Sequence, residues 1–322
     1  MLPFFANNLA IISFGLYSSR TKQALKHPHY QKTIAPLYKT YEAKRRRTLV
    51  FAGIKFWGCI VLTCLALELT STSSIYDLTY LKLVLFIFCI LLLITPVRKF
   101  RTQIANEVLP KILKQNWQLD FAIKPNKSII SYQKFRIIPT FTSELSKDYI
   151  SGAYKDLDFE MFSTRLIKIV DRNNVRQVFN GTVIKVSINK KFSGTTVIKR
   201  DYGLLNILNL ELGLSKVALE DPEFEDQFEV FASDQIEARY LLTTSLMARI
   251  LEFKAAVGCK RLTACFHEQQ LLILLDGYKI ALPKINLSEP ADFCNYYHAC
   301  LNSTEAFFNN LDLLKLDDNL GM

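Results

Sequence analysis

Two apolar runs, Leu49–Leu69 and Leu81–Val97, flank the short polar segment 70–80 and limit what the rest of the chain can do. The first, LVFAGIKFWGCIVLTCLALEL, would reach about 31 Å as a helix, enough for a hydrocarbon core of about 30 Å. Lys55 lies shallow enough in it to snorkel toward headgroups, and Glu68 closes it. The second, LKLVLFIFCILLLITPV, is near the lower limit for a span. Lys82 can snorkel outward, and Pro96 with Arg98, Lys99 and Arg101 ends it. The pattern predicts an N-terminal two-helix transmembrane hairpin (49–69 and 81–97, loop 70–80).

Cations set its orientation. Lys44, Arg45, Arg46 and Arg47 precede the first run and Arg98, Lys99 and Arg101 follow the second, while 70–79 holds only Asp77. The positive-inside rule then places both termini in the cytoplasm, as in a multi-pass protein of an inner membrane. Met1–Tyr17 is apolar in places but lacks a basic leader, so it does not read as a cleaved signal peptide.

The formal charge of +10 suggests nucleic acid until it is divided along the chain. Residues 1–48 carry nine Lys/Arg against Glu42 alone, and 98–322 carry 29 basic against 27 acidic residues. The surplus sits in the arm beside the first run. The seven basic residues flanking the hairpin therefore point to a membrane surface, with the lipid bilayer and not nucleic acid as partner. An odd count of seven cysteines with no secretory framework suits reduced thiols.

The remaining organisation follows. Residues 1–48 form a basic, helical, membrane-proximal arm and 98–117 a helical stalk bent near Pro110, with Ile104, Val108, Ile112 and Leu113 on one stripe. From 118 to 322 the pattern is that of a cytoplasmic α+β domain with a mainly antiparallel sheet and packed helices. Leu157, Phe159 and Met161 alternate with Asp158, Glu160 and Phe162, and Ile184, Val186 and Ile188 share one side. Asp171–Asn174 is turn chemistry. Asp221-Pro222 opens a short helical turn, and Phe228–Phe231 a brief strand. Asp234 and Glu237 stand at capping-box spacing before one long helix that runs to Gly258, with Ile236, Tyr240, Thr244, Met247 and Leu251 on its buried face. Strands at Arg261–Phe266 and Leu271–Leu275 and a helix over about 291–314 complete the chain. Gly181 and Gly194 read as turn or bulge glycines, because no helix start or Gly-Lys-Ser/Thr follows them.

Phe192-Ser193-Gly194-Thr195, the segment Leu219–Glu225 (LEDPEFE) and the sixteen residues Phe228–Thr243 (FEVFASDQIEARYLLT) resemble a bacterial family catalogued as a domain of unknown function, DUF3137. The resemblance covers Phe179 to about Pro290. It implies a bacterial protein with a pair of N-terminal spans before its domain, and it brings no activity, cofactor or catalytic residue. One departure is Thr244, where relatives commonly have a helix-start proline.

No residue set names a reaction. Eight carboxylates lie in Glu220–Glu237, but no calcium-loop spacing is present and capping accounts for Asp221, Asp234 and Glu237. Glu229 reads as a solvated strand position. Arg239, unfavourably close to a helix N-terminus, calls for a carboxylate partner or an anion. Cys259, Cys265, His267, Cys294, His298 and Cys300 show no recognised zinc spacing, so neither a metal nor a cofactor is expected. The expected function is a membrane-anchored, non-enzymatic protein-interaction module at the cytoplasmic face, with Arg239, Asp221, Asp234 and Glu237 as anion- or partner-binding residues. The alternatives are an enzyme acting on a membrane-proximal or phosphorylated substrate and an anionic-lipid-responsive sensor.

Overall fold

The computed structural model describes residues 35–71, 84, 87, 98–100, 102–155, 157–171, 174–188, 191–200, 213–280, 282–283 and 293–316. The chain divides into two compact units, residues 1–112 with 282–301 and residues 113–281 with 302–322.

In the first unit a single helix, α1 (Ala35–Ser71), starts with Pro36 in its opening turn, where a missing N–H costs nothing. It runs unbroken through the basic segment into the first apolar run. Glu42 and Arg45 are both buried. Arg45 donates to both carboxylate oxygens of Glu42, each at 2.8 Å, and Arg46 adds a bond of 2.9 Å. Among the described residues no helix is long and apolar enough to cross a membrane. This overturns the transmembrane hairpin and, with it, the multi-pass inner-membrane location. The helix is not bounded by its apolar run: Lys44–Arg47 and Lys55 stand in the same unbroken element. The second run, apart from residues 84 and 87, lies outside the described residues.

Farther along, Phe100, Ile104 and Val108 are buried, and α2 (Leu109–Trp117) begins with Pro110 as its second residue. Proline has no N–H for a preceding turn, so the ladder restarts here, with Ile112 N–H donating to the Val108 carbonyl at 3.1 Å. Ile104, Val108, Ile112 and Leu113 are all buried, as the spacing predicts.

Among the described residues the second unit has the strands β1 (Asp120–Ala122), β2 (Ser143–Tyr154), β3 (Leu157–Asp171), β4 (Asn174–Ser187), β5 (Thr195–Arg200), β6 (Ser215–Val217), β7 (Phe228–Ala232), β8 (Arg261–His267) and β9 (Gln270–Asp276). They form a nine-stranded sheet ordered β1-β2-β3-β4-β9-β8-β5-β7-β6. Every pairing is antiparallel. Among the described residues the helices that follow α2 are α3 (Pro222–Gln227), α4 (Gln235–Leu241) and α5 (Thr244–Val257), all in the second unit, and α6 (Phe293–Asp312), which has residues in both units.

Each face of the sheet is covered. On one, Phe162, Leu166, Phe179, Val183, Val197, Phe231, Cys265, Leu272 and Leu274 form a core with Ile129, Tyr132 and Phe135. Those last three belong to a 3₁₀ helix, Ile129–Phe135, whose three-residue repeat puts them in one row. On the other face, Leu246, Ile250 and Phe253 of α5 meet Leu262, Ala264, Phe266, Leu271 and Ile273. Burial on both faces is why β9 reads Leu-Leu-Ile-Leu-Leu without alternation. Gly181 is neither turn nor bulge. It sits inside β4, where an added Cβ would lie 1.9 Å from the Leu275 carbonyl oxygen, so glycine permits the approach of β4 to β9.

Candidate functional site

The segment after β7 holds Asp234, Glu237 and Arg239, three of the four binding residues that the sequence singles out. All five residues of β7 are buried, and the strand ends at Ser233-Asp234. Asp234 caps α4, its Oδ1 accepting from Ile236 N–H at 2.8 Å and Glu237 N–H at 3.1 Å. The predicted single helix to Gly258 is in fact two. Leu242 leaves helical geometry (φ −88°, ψ 66°), and Thr243, extended at ψ 156°, caps α5 through a bond from Leu246 N–H at 3.3 Å. The break changes the phase of the apolar pattern. Met247 stays buried, while Ile236 and Tyr240 face outward, 68% and 70% exposed.

Glu237 does not close a capping box. Its Oε1 accepts from Ser193 N–H and its Oε2 from Gly194 N–H, both at 2.7 Å. Ser233 Oγ takes the next donor, Thr195 N–H, at 2.9 Å, and Ser233 N–H returns a bond to the Thr195 carbonyl at 3.0 Å. Three successive backbone donors at the start of β5 are thus held by two side chains, Ser233 of the β7–α4 turn and Glu237 of α4. The two bonds to the Glu237 carboxylate are charge-assisted, the stronger class. They occupy backbone donors that an external anion would otherwise use. Gly194 is required by contact: an added Cβ would lie 2.7 Å from Ser233 Oγ and 2.9 Å from Glu237 Oε2. From Thr195 the network reaches β8, through Oγ1 and His267 Nδ1 at 2.9 Å.

Three other carboxylates of this region, Asp221, Glu225 and Glu229, also serve structure. Asp221 caps α3, accepting from Phe224 N–H at 3.0 Å, and Glu225 accepts from Leu219 N–H at 2.8 Å. Glu229 is not solvated; it is 7% exposed and pairs with Lys216 Nζ at 2.7 Å. The carboxylate partner predicted for Arg239 is not found. The residue is exposed and makes no ion pair among the described residues. The structure therefore brings Asp234 and Glu237 together as supports of α4 and leaves Arg239 outward between Ile236 and Tyr240. Asp221 belongs to a different helix. The sequence contained one sign of the clamp, the co-occurrence of Phe192–Thr195 with Phe228–Thr243, but nothing in either segment tells which atoms meet.

No group of three or more His, Cys, Asp or Glu positioned to hold a metal occurs among the described residues. Burial pushes the thiols of Cys265 and Cys300 up to about 12, which leaves them protonated and poorly nucleophilic. Of the predicted membrane-surface set, Arg45 is buried against Glu42 and Arg46 shares that carboxylate, while Lys44 Nζ lies 5.0 Å from the Tyr41 ring centre. Arg47, Arg98 and Lys99 are exposed, and Arg101 lies outside the described residues.

Residues 177–316 match the model of a family described as a protein of unknown function, DUF3137. A solved structure, the crystal structure of the mycobacterial trehalose monomycolate transport factor A, TtfA, is similar at 11% identity over 65% of this chain and 97% of that chain. Its TM-score of 0.31 is too low to indicate a shared fold. No curated protein matches the chain.

Proposed function

Residues 177–316 belong to the DUF3137 family, and from that premise we propose that the chain is a non-enzymatic protein-interaction module whose partner docks on the outer face of α4. The observation that carries this reading is the exposure of Ile236 and Tyr240, 68% and 70%, on a helix otherwise held in place. Residues four apart on a helix share a face, and Arg239 stands beside them. Tyrosine and arginine are enriched among residues that carry binding energy.

The support beneath the face matters equally. Asp234 fixes the first turn of α4, and Glu237 ties the helix to the segment before β5. A partner would meet a pre-ordered surface and lose less entropy on binding. In this reading Arg239 pairs with a carboxylate of the partner, Ile236 and Tyr240 enter its apolar groove, and Asp221, Asp234 and Glu237 act by holding structure.

A photo-crosslinking amino acid placed at position 240 of the full chain, in the native cell, tests it. The expected result is an adduct of defined mass that is lost in Arg239→Glu and absent when the crosslinker is at position 130. Ile130 is likewise an exposed apolar residue, but on the 3₁₀ helix. Absence of an adduct at 240, or the same adducts from both positions, contradicts the proposal.

A further inference from the structure

We propose that the second unit carries a pocket for a small amphiphilic anion, a carboxylate or phosphate head on a short apolar chain, with Lys199 receiving the head. A cavity of about 280 Å³ opens at the end of the core on the face covered by the 3₁₀ helix. That volume is close to the lower end of small-molecule sites, about 300 Å³. Strand register builds it. Val197 lies opposite both Phe231 and Cys265, and Lys199, two residues on, shares the face of Val197. Arg261 lies opposite Asp276, and Thr263 opposite Leu274. The floor is apolar, with Phe179, Val197, Phe231 and Leu274 all buried.

Charge at the rim is strongly one-signed. Arg136, Lys199, Arg200 and Arg261 line the cavity, and Asp276 is the single carboxylate among the described residues that line it. That carboxylate is already engaged: Arg261 Nε donates to it at 2.9 Å and Asn180 N–H at 3.1 Å. Lys199 differs from the rest. It is half-buried, its Nζ lies 4.4 Å from the Phe231 ring centre, and it makes no ion pair among the described residues. Glu229, across the strand from it, is paired with Lys216. Burial holds the Lys199 ammonium below the ordinary lysine range, against the opposing influence of Glu229. A cation partly stripped of water beside buried aromatic and aliphatic surface is complemented by an anion that brings its own apolar surface. A bare inorganic anion would leave the floor unfilled, and a neutral amphiphile would leave the rim unpaired.

The pocket uses none of the residues on the outer face of α4, so this inference and the proposed function fail independently. Calorimetric titration of the full chain with octanoate, octyl phosphate, 1-octanol and inorganic phosphate tests it. The expected result is one site per chain for octanoate, octyl phosphate or both, and the preferred head identifies the source of the anion. Lys199→Gln, with its circular dichroism unchanged, should weaken that binding at least about tenfold, the effect of one lost charge-assisted contact. Arg200→Gln, a change at an exposed position, should weaken it several-fold and decides the matter if Lys199→Gln does not fold. Binding of 1-octanol as tight as octanoate, binding of phosphate as tight as octyl phosphate, no binding of either amphiphile, or unchanged affinity in the folded variants overturns the proposal.

Discussion

A methyl group at Gly194 would have to displace Ser233 Oγ or the Glu237 carboxylate, which together hold three backbone donors at the start of β5. Gly194→Ala should therefore lower unfolding stability by roughly 1–3 kcal/mol in a denaturant titration, through crowding and loosened hydrogen bonds. Ser193→Ala, which retains the backbone N–H used by Glu237, should stay within about 0.5 kcal/mol of wild type. Glu160 offers a second residue-scale test. Burial opposes its ionisation, but Lys185 Nζ and Tyr149 Oη, both at 2.8 Å, outweigh burial and hold the carboxyl below the usual range. A carboxyl lowered in the folded state binds fewer protons there than in the unfolded state. Its stabilisation is thus complete above the unfolded value and is lost as pH falls through the folded one. Thermal melting across the acid range should show Glu160→Gln less stable than wild type near neutrality, with the difference shrinking as pH falls below the ordinary glutamate range. A constant difference at all pH values would contradict this account of Glu160.

At the scale of elements, the separation of α4 from α5 decides which side chains are available. Thr244 is the first residue of α5, the position where proline is tolerated because its N–H has no intrahelical partner. Thr244→Pro should accordingly leave stability unchanged or raise it by up to about 1 kcal/mol. Were α4 and α5 one continuous helix, the same change would cost about 3 kcal/mol or more. Apolar periodicity could not distinguish these cases, since Ile236, Tyr240, Thr244, Met247 and Leu251 satisfy one helical stripe and Thr243 becomes a cap only once the chain has turned. Strands were more legible. The alternation of Leu157, Phe159 and Met161 places them in the core of β3, and β8 and β9 fall where their apolar runs do. Gly181 and Gly194 read as turn or bulge glycines, whereas both answer to atoms far away in sequence, Leu275 on β9 and Ser233 with Glu237.

Over the whole molecule, a tally of apolar residues misleads where a helix does not begin with its apolar run. Leu49–Leu69 meets the length of a span, yet α1 starts at Ala35 and carries the basic cluster in the same helix, with part of that cluster folded onto Glu42. Charge counted along the sequence assigned Lys44–Arg47 to lipid headgroups. Burial of Arg45 against Glu42 required a contact that a count cannot supply. The residues proposed to act outwardly lie instead in the stretch that matches the family, on a short helix fixed from beneath. The direct measurement is to replace Ile236 and Tyr240 together by serine in the full chain, then record thermal melting and partner recovery from the native cell on the same preparations. An outward docking face predicts melting unchanged to within about 0.5 kcal/mol, as for a surface substitution, with the crosslinked partner lost. A clear fall in melting temperature, or recovery of the partner at the wild-type level, would contradict it.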